Sequence, residues 1–209
     1  RDFEPIVLVG TFPMIVAVNA STPFTSLPQL LDTARHDPRS ADIAMPSTTA
    51  RLVVELLKER SNFALFGVPY KGSGNAMTDL LGNQLPVVVD TPTALRSHLA
   101  SGKVRAIAVT SAKPSSLAPG VKPVAEQGYP GFEVVAWNAL YAPRGTPANV
   151  IATINAAMNK ALARPETRQR LLELGFEPAG GPQADLAKFA KAERTKWSPI
   201  IKSAGLKAD

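Results

Sequence analysis

From Ile6 to Thr110 short apolar runs alternate with capped helical patterns, and few folds accept that rhythm. Ile6 to Val9 and Met14 to Val18 read as strands, separated by Gly10 and Pro13. Ser26 or Thr25 caps a helix that carries Pro28 in its first turn and runs to about His36. Asp42 to Met45 reads as a short strand and Arg51 to Arg60 as a helix. Strand Leu65 to Tyr70, helix Asn75 to Leu81 and strand Leu85 to Val89 follow, the last ending in Asp90. Thr91 and Pro92 open another helix as its cap and first residue, Gly102 ends it, and Val104 to Thr110 is a further strand. Such alternation predicts an α/β fold: a mostly parallel sheet with helices on both faces.

The stretch from Val68 to Gln84 is the densest part of the pattern: strand, glycine-serine turn, short helix, stop. Ser73 is placed to cap the helix, since its hydroxyl can accept an N–H that the first turn leaves unpaired. Gly82 falls where a helix end favours a left-handed residue. A buried strand ending in a polar residue beside a helix start is how open α/β sheets build binding crevices.

After Ser111 the texture changes. The segment Lys113 to Pro123 holds Pro114, Pro119, Gly120 and Pro123. Phe132 to Tyr141 is an extended apolar run, and helices are expected over about 148–163, 166–174 and 183–203. In the last of these Leu186, Phe189, Ala190, Trp197, Ile200 and Ile201 fall at helical spacing.

With 209 residues the chain can bury a real core as one large domain or two modest ones. No apolar run approaches the ~18 residues that span a bilayer. The first residues, Arg1-Asp2-Phe3-Glu4-Pro5, do not have the form of a signal peptide. The absence of cysteine excludes disulfides, thiolate metal sites and cysteine nucleophiles. A net charge of +6 raises the encounter rate of anions. The basic residues are scattered without interleaved aromatics, which argues against nucleic acid as a partner. His36 and His98 lie on separate expected helices, and neither belongs to a nucleophile or metal motif, so an enzyme is not expected.

Val68-Pro69-Tyr70-Lys71-Gly72-Ser73, followed by Thr78-Asp79-Leu80-Leu81-Gly82 with Gln84, resembles the signature of the solute receptors of tripartite tricarboxylate transporters, the Bug or TctC-like receptors. The resemblance continues through Gly102 to Ser111, Pro123 to Gly128, Pro130-Gly131-Phe132, Trp137, Ala142-Pro143, Gly145-Thr146-Pro147, Asn155 and Asn159 to Leu162, and so covers essentially the whole chain. It implies a fold like the type II periplasmic binding proteins, with two α/β lobes joined by crossing strands. On that pattern residues 20–111 form one complete α/β lobe, the second domain of the family. Residues 1–19 supply crossover strands, 112–147 a loop and the returning crossover strand, and 148–209 the C-terminal helices of a partial first domain. The family's long front segment has no counterpart here. The expectation is therefore that the tail helices expose apolar faces and that the chain self-associates as a homo-dimer, with exchange of crossover strands or helices.

The resemblance also implies a function. It points to the bacterial periplasm and to non-covalent capture of a small carboxylate ligand, a di- or tricarboxylate, for the membrane subunits of a secondary transporter, with no cofactor or metal. The loop with Ser47, Thr48 and Thr49 would contact a ligand carboxylate; it is shorter than the family's form and lacks its glycines, so an ordinary helix cap is the alternative. Arg51 would clamp a carboxylate or lie solvated on the helix. Lys71, Gly72, Ser73 and Gly74 form a second candidate seat or simply a tight turn. Asp90 and Thr91 would face the cleft, with Asp90 accepting from a ligand hydroxyl, amine or water, or holding local backbone. Trp137 reads as a packing residue. The competing expectation is a truncated receptor that no longer binds ligand and persists as a self-associated interaction module.

Overall fold

Glycine, proline and short polar residues break the described residues into eight strands and seven α-helices, arranged around two sheets. The structure is a computed structural model describing residues 2–62, 64–203 and 205. It divides into two compact units, Pro13–Ala136 and Arg1–Phe12 with Trp137–Asp209.

The first unit is built on a five-stranded sheet. Its elements are β2 (Ile15–Asn19), α1 (Leu27–His36), β3 (Ile43–Met45), α2 (Thr48–Ser61), β4 (Gly67–Pro69), α3 (Ser73–Leu81), β5 (Val87–Asp90), α4 (Pro92–Ala100) and β6 (Val104–Val109). The strand order is β4-β3-β5-β2-β6. β3 pairs in parallel with β4 and β5, whereas β2 is antiparallel to β5 and β6. Four strands thus point one way and β2 runs against them. The expectation of a mostly parallel sheet holds for those four, and the reversed strand is the residue run expected to be a crossover segment.

Every residue of β2, β3 and β5 is buried, so both faces of the central sheet are covered. Ile15, Ala17 and Val88 pack with Ala76, Met77 and Leu80 of α3 and Leu95 of α4. Burying a Val, Leu or Ile side chain is worth ~1.5–3 kcal/mol, and this core holds the strand ends in place.

Local signals explain the helix starts. Ser26 caps α1 through Gln29 N–H, with Pro28 in its first turn. Thr91 caps α4 through Ala94 N–H at 3.2 Å, with Pro92 at its first position. At α3 the expectation fails. Gly72 is the cap residue, no side chain bonds the helix end, and Ser73 is the first helical residue. Gly72 sits at φ 96°, ψ 167°, a region open essentially to glycine alone, and this places Ser73 one position too far along to cap. The left-handed residue after α3 is Asn83 at φ 57°, while Gly82 keeps an ordinary φ of −82°.

The second unit carries a three-stranded sheet of order β7-β1-β8, from β1 (Phe3–Pro13), β7 (Val135–Pro143) and β8 (Glu177–Pro178). β1 runs through Gly10, where a Cβ would meet the Glu177 carbonyl oxygen at 2.9 Å; the glycine lets β8 approach. α5 (Ala148–Leu162), α6 (Pro165–Glu173) and α7 (Gln183–Ser203) complete it. Ile6, Val7, Ala142, Ile151 and Leu162 form its core. Asn155 donates to Ile6 O and Gly181 O, and Asn159 exchanges hydrogen bonds with Gly181, which fastens α5 to β1 and to the turn before α7. Trp137 meets Phe189 edge-on at 5.6 Å. Among the described residues no helix is long and apolar enough to cross a membrane.

Candidate functional site

Three adjacent parallel strands, β4, β3 and β5, send their C-terminal ends to one edge of the sheet, and each turns there directly into a helix. Neighbouring strands lie about 4.8 Å apart, so these turns share one neighbourhood. They contain the residues singled out in sequence: Ser47, Thr48 and Thr49 before and in α2, Lys71, Gly72 and Ser73 before and in α3, and Asp90 with Thr91 before α4.

The three helix starts are not equivalent. At α4 the end is closed. Thr91 N–H donates to Asp90 Oδ1 at 2.7 Å, the first helical residue is proline, and Ala94 N–H is taken by the Thr91 hydroxyl. Thr91 therefore offers a ligand no free N–H, and one lone pair of its hydroxyl is spent on the cap. At α2 the Ser47 hydroxyl takes Ala50 N–H at 3.2 Å, and Arg51 N–H bonds the Ser47 carbonyl. Among the described residues, Thr48 and Thr49 N–H have no hydrogen-bond partner, and both hydroxyls are likewise unengaged. At α3 no side chain caps the end, and the N–H groups of Ser73, Gly74 and Asn75 have no partner among the described residues. Two neighbouring helix starts thus present unpaired donors with the positive end of each helix dipole behind them, the arrangement that seats anions.

The surrounding charges have a definite pattern. Lys71 is exposed on the α3 turn, and Arg51 lies half-buried in the first turn of α2. Asp90 is only 2% exposed. Burial pushes its carboxyl above the usual carboxylate range; the Thr91 N–H, and then the neighbouring Ser73 hydroxyl, pull it partly back. Oδ2 of the same carboxyl is buried with no hydrogen-bond partner.

Sequence reasoning missed the brace behind the α3 turn. Tyr70 donates its hydroxyl to Asp79 Oδ2 at 2.6 Å, clasping the end of β4 onto α3, and burial together with this carboxylate pushes the phenol up to about 12. The signal was present as a tyrosine and an aspartate nine residues apart across a turn-helix, but only the fold makes them meet. Gly72 is required by its backbone angles, whereas Gly74 has an ordinary φ and nothing within 4 Å of an added Cβ. Two surface hollows of about 440 and 430 Å³ lie elsewhere, on either side of Gln127 along α1. Gln127 spends its amide on Leu27 N–H and on the Ile107 and Lys122 carbonyls, so it acts as a fastener there. No group of three or more metal-ligating side chains occurs among the described residues.

With this geometry in hand, the similarity to known proteins is decisive. The family model described as "Tripartite tricarboxylate transporter family receptor" matches residues 1–206. The chain belongs to that receptor family. A "UPF0065 protein in tcbD-tcbE intergenic region" of Pseudomonas sp. (strain P51) is 38% identical, covering 96% of this chain and 61% of its own length. The solved structure "R. palustris Rpa4515 with adipate" is 32% identical, with a TM-score of 0.85 over 98% of this chain and 69% of that one. The periplasmic binding protein BugD is 31% identical, with a TM-score of 0.79 over 99% of this chain and 71% of its own. The chain thus spans less than two thirds of the length of the first of these relatives. It has the fold of a Bug or TctC-like receptor, a family of solute-binding rather than catalytic proteins.

Proposed function

We propose that this receptor chain captures a small di- or tricarboxylate in the bacterial periplasm and presents it to the membrane subunits of a secondary transporter. The observation that carries this reading is the pair of helix starts, α2 and α3, that follow adjacent parallel strands and present unpaired N–H donors. Thr48, Thr49, Ser73 and Gly74 N–H, with the Thr48 and Thr49 hydroxyls, hold one carboxylate; Lys71 and Arg51 draw the negative ligand toward them. Binding is non-covalent, and release needs no bond to break. The relative whose solved structure is described as being with adipate supports a dicarboxylate as the class of cargo. Isothermal titration with a panel of C4 to C6 dicarboxylates and citrate tests the reading: saturable binding that weakens about tenfold or more in Gly74→Ala supports it, and a folded chain that binds none of them refutes it.

A second reading has its own support. Among the described residues, large exposed apolar side chains concentrate in the unit of Arg1–Phe12 and Trp137–Asp209, with Phe3, Leu140, Val150, Leu174 and Ile201, against Phe66 in the other. On this reading the 209-residue chain self-associates through that unit and serves as an interaction module. Light scattering after size exclusion separates the two, since a clean monomer at micromolar concentration removes this reading and leaves the receptor reading standing.

A further inference from the structure

A hollow of about 430 Å³ lies between α1, the last turn of α2 and the turn at Gly128 and Tyr129, within the size range of sites that take small ligands. Pro28, Leu31, Asp32 and Arg35 line it from one face of α1, at the spacing i, i+3, i+4, i+7. Arg60 lines it from α2 and Tyr129 from the turn. Leu31 is buried and gives it an apolar wall, while Asp32 and Arg60 are exposed. The 14 residues of α2 run about 20 Å from Thr48 to Ser61, and this separates the hollow from the helix start that offers Thr48 and Thr49 N–H.

Asp32 and Arg60 bring opposite charges to one hollow and form no ion pair with each other. Among the described residues the Asp32 carboxylate, the Arg60 guanidinium and the Tyr129 hydroxyl have no hydrogen-bond partner. Nearby, by contrast, Lys58 closes onto Glu55 at 2.8 Å. A gap between two unpaired opposite charges suits a ligand that carries both. Its anion takes the planar fork of the guanidinium, and its cation meets a carboxylate that can only accept. Arg35 adds a second positive charge to the rim.

We propose that this hollow is a second binding site, for a zwitterion of the α-amino-acid class, its carboxylate on Arg60, its ammonium group on Asp32 and an apolar side chain against Pro28 and Leu31. The site is independent of the carboxylate seat at the other end of α2.

The test titrates L-leucine, L-leucinamide and 4-methylpentanoate into the 209-residue chain under amide NMR; the second ligand lacks the carboxylate and the third the ammonium group. The expected result is saturable shifts at Ser61, Gly128 and Tyr129 with L-leucine, and binding at least about threefold weaker for either analogue, the loss that removal of one exposed ion pair produces. Arg60→Gln should bring L-leucine and L-leucinamide within about twofold of each other, and Asp32→Asn should do the same for L-leucine and 4-methylpentanoate, each variant erasing one distinction and keeping the other. No saturable shift with L-leucine, shifts confined to the helix-start amides of Thr48, Thr49 and Ser73, or equal affinities for the three ligands overturn the proposal and leave the carboxylate seat standing. Both side chains are exposed, so neither change removes buried packing. If a variant still fails to fold, the ranking of the three ligands on the unaltered chain decides alone.

Discussion

Asp90 costs the Pro13–Ala136 unit stability in its ligand-free form. Its carboxyl titrates higher in the folded chain than in the unfolded one, so the folded state retains a proton over an interval where the unfolded state has lost it. Stability from this group is therefore fully present at acid pH and is lost as pH rises through that interval. Asp90→Asn is expected to stabilise the chain at pH 7 by about 1 kcal/mol, or ~2–4 °C in Tm, with the gain shrinking as pH falls through the raised folded value and vanishing by the ordinary carboxylate value. Thermal unfolding at several pH values checks the direction; a gain that grows toward acid pH would contradict the assignment. The two glycines of the α3 turn make a matched pair. Gly72→Ala should cost ~1–3 kcal/mol, because φ 96° with ψ 167° is denied to alanine. Gly74→Ala meets no neighbour and should leave the melting temperature unchanged or raised, so any binding it loses reports the approach of ligand to backbone. Urea unfolding of the two variants separates backbone strain from ligand contact.

At the scale of elements, much was legible where the signal was local. Ser26 with Pro28 and Thr91 with Pro92 marked the starts of α1 and α4, because capping involves residues within one turn. The helices after Pro147 were legible from apolar spacing and flanking proline and glycine. The α3 start was misread because Ser73 and Gly72 look alike as caps in sequence; only the backbone angles decide which one turns the chain. The reversed direction of β2 depends on pairing with β5 and β6, some seventy to ninety residues away in the register Ile15 with Asp90 and with Val109, and no local pattern encodes that. The candidate site followed the same division. Its three turns were visible as strand ends, while the closure of the α4 end by Asp90 and the brace from Tyr70 to Asp79 required the fold. The brace carries a prediction of its own. Tyr70→Phe should cost ~1 kcal/mol or more by leaving the Asp79 carboxylate short of a donor, and should weaken ligand binding through a looser turn. Denaturant midpoints alongside titration check this, and a variant with unchanged values in both would remove the brace from the account.

At the scale of the whole molecule, the chain passes between its two compact units at Phe12–Pro13 and at Ala136–Trp137. Within the Pro13–Ala136 unit one buried hydroxyl ties down the segments next to both crossings. Thr110 Oγ1 accepts from Met14 N–H at 2.8 Å and lies 2.6 Å from the Val134 carbonyl oxygen, to which it donates. The Thr110 backbone bonds the same two residues again, to Met14 O and from Val134 N–H. Thr110→Val keeps the shape and removes the hydroxyl, so it should cost ~1–3 kcal/mol. Hydrogen exchange should show Met14 losing protection while Val88, in the middle of the sheet, keeps it; uniform loss across the unit would contradict a local tie.

The central claim is that the unpaired N–H groups at the starts of α2 and α3 form the carboxylate seat. Amide NMR during a titration with malate tests it most directly, because it reads the N–H groups themselves. The account predicts that the largest saturable shifts fall on Thr48, Thr49, Ser73 and Gly74, with Thr91 moving little because its N–H is held by Asp90. Saturable shifts centred instead on the hollows beside Gln127, with the four helix-start amides unmoved, would contradict it.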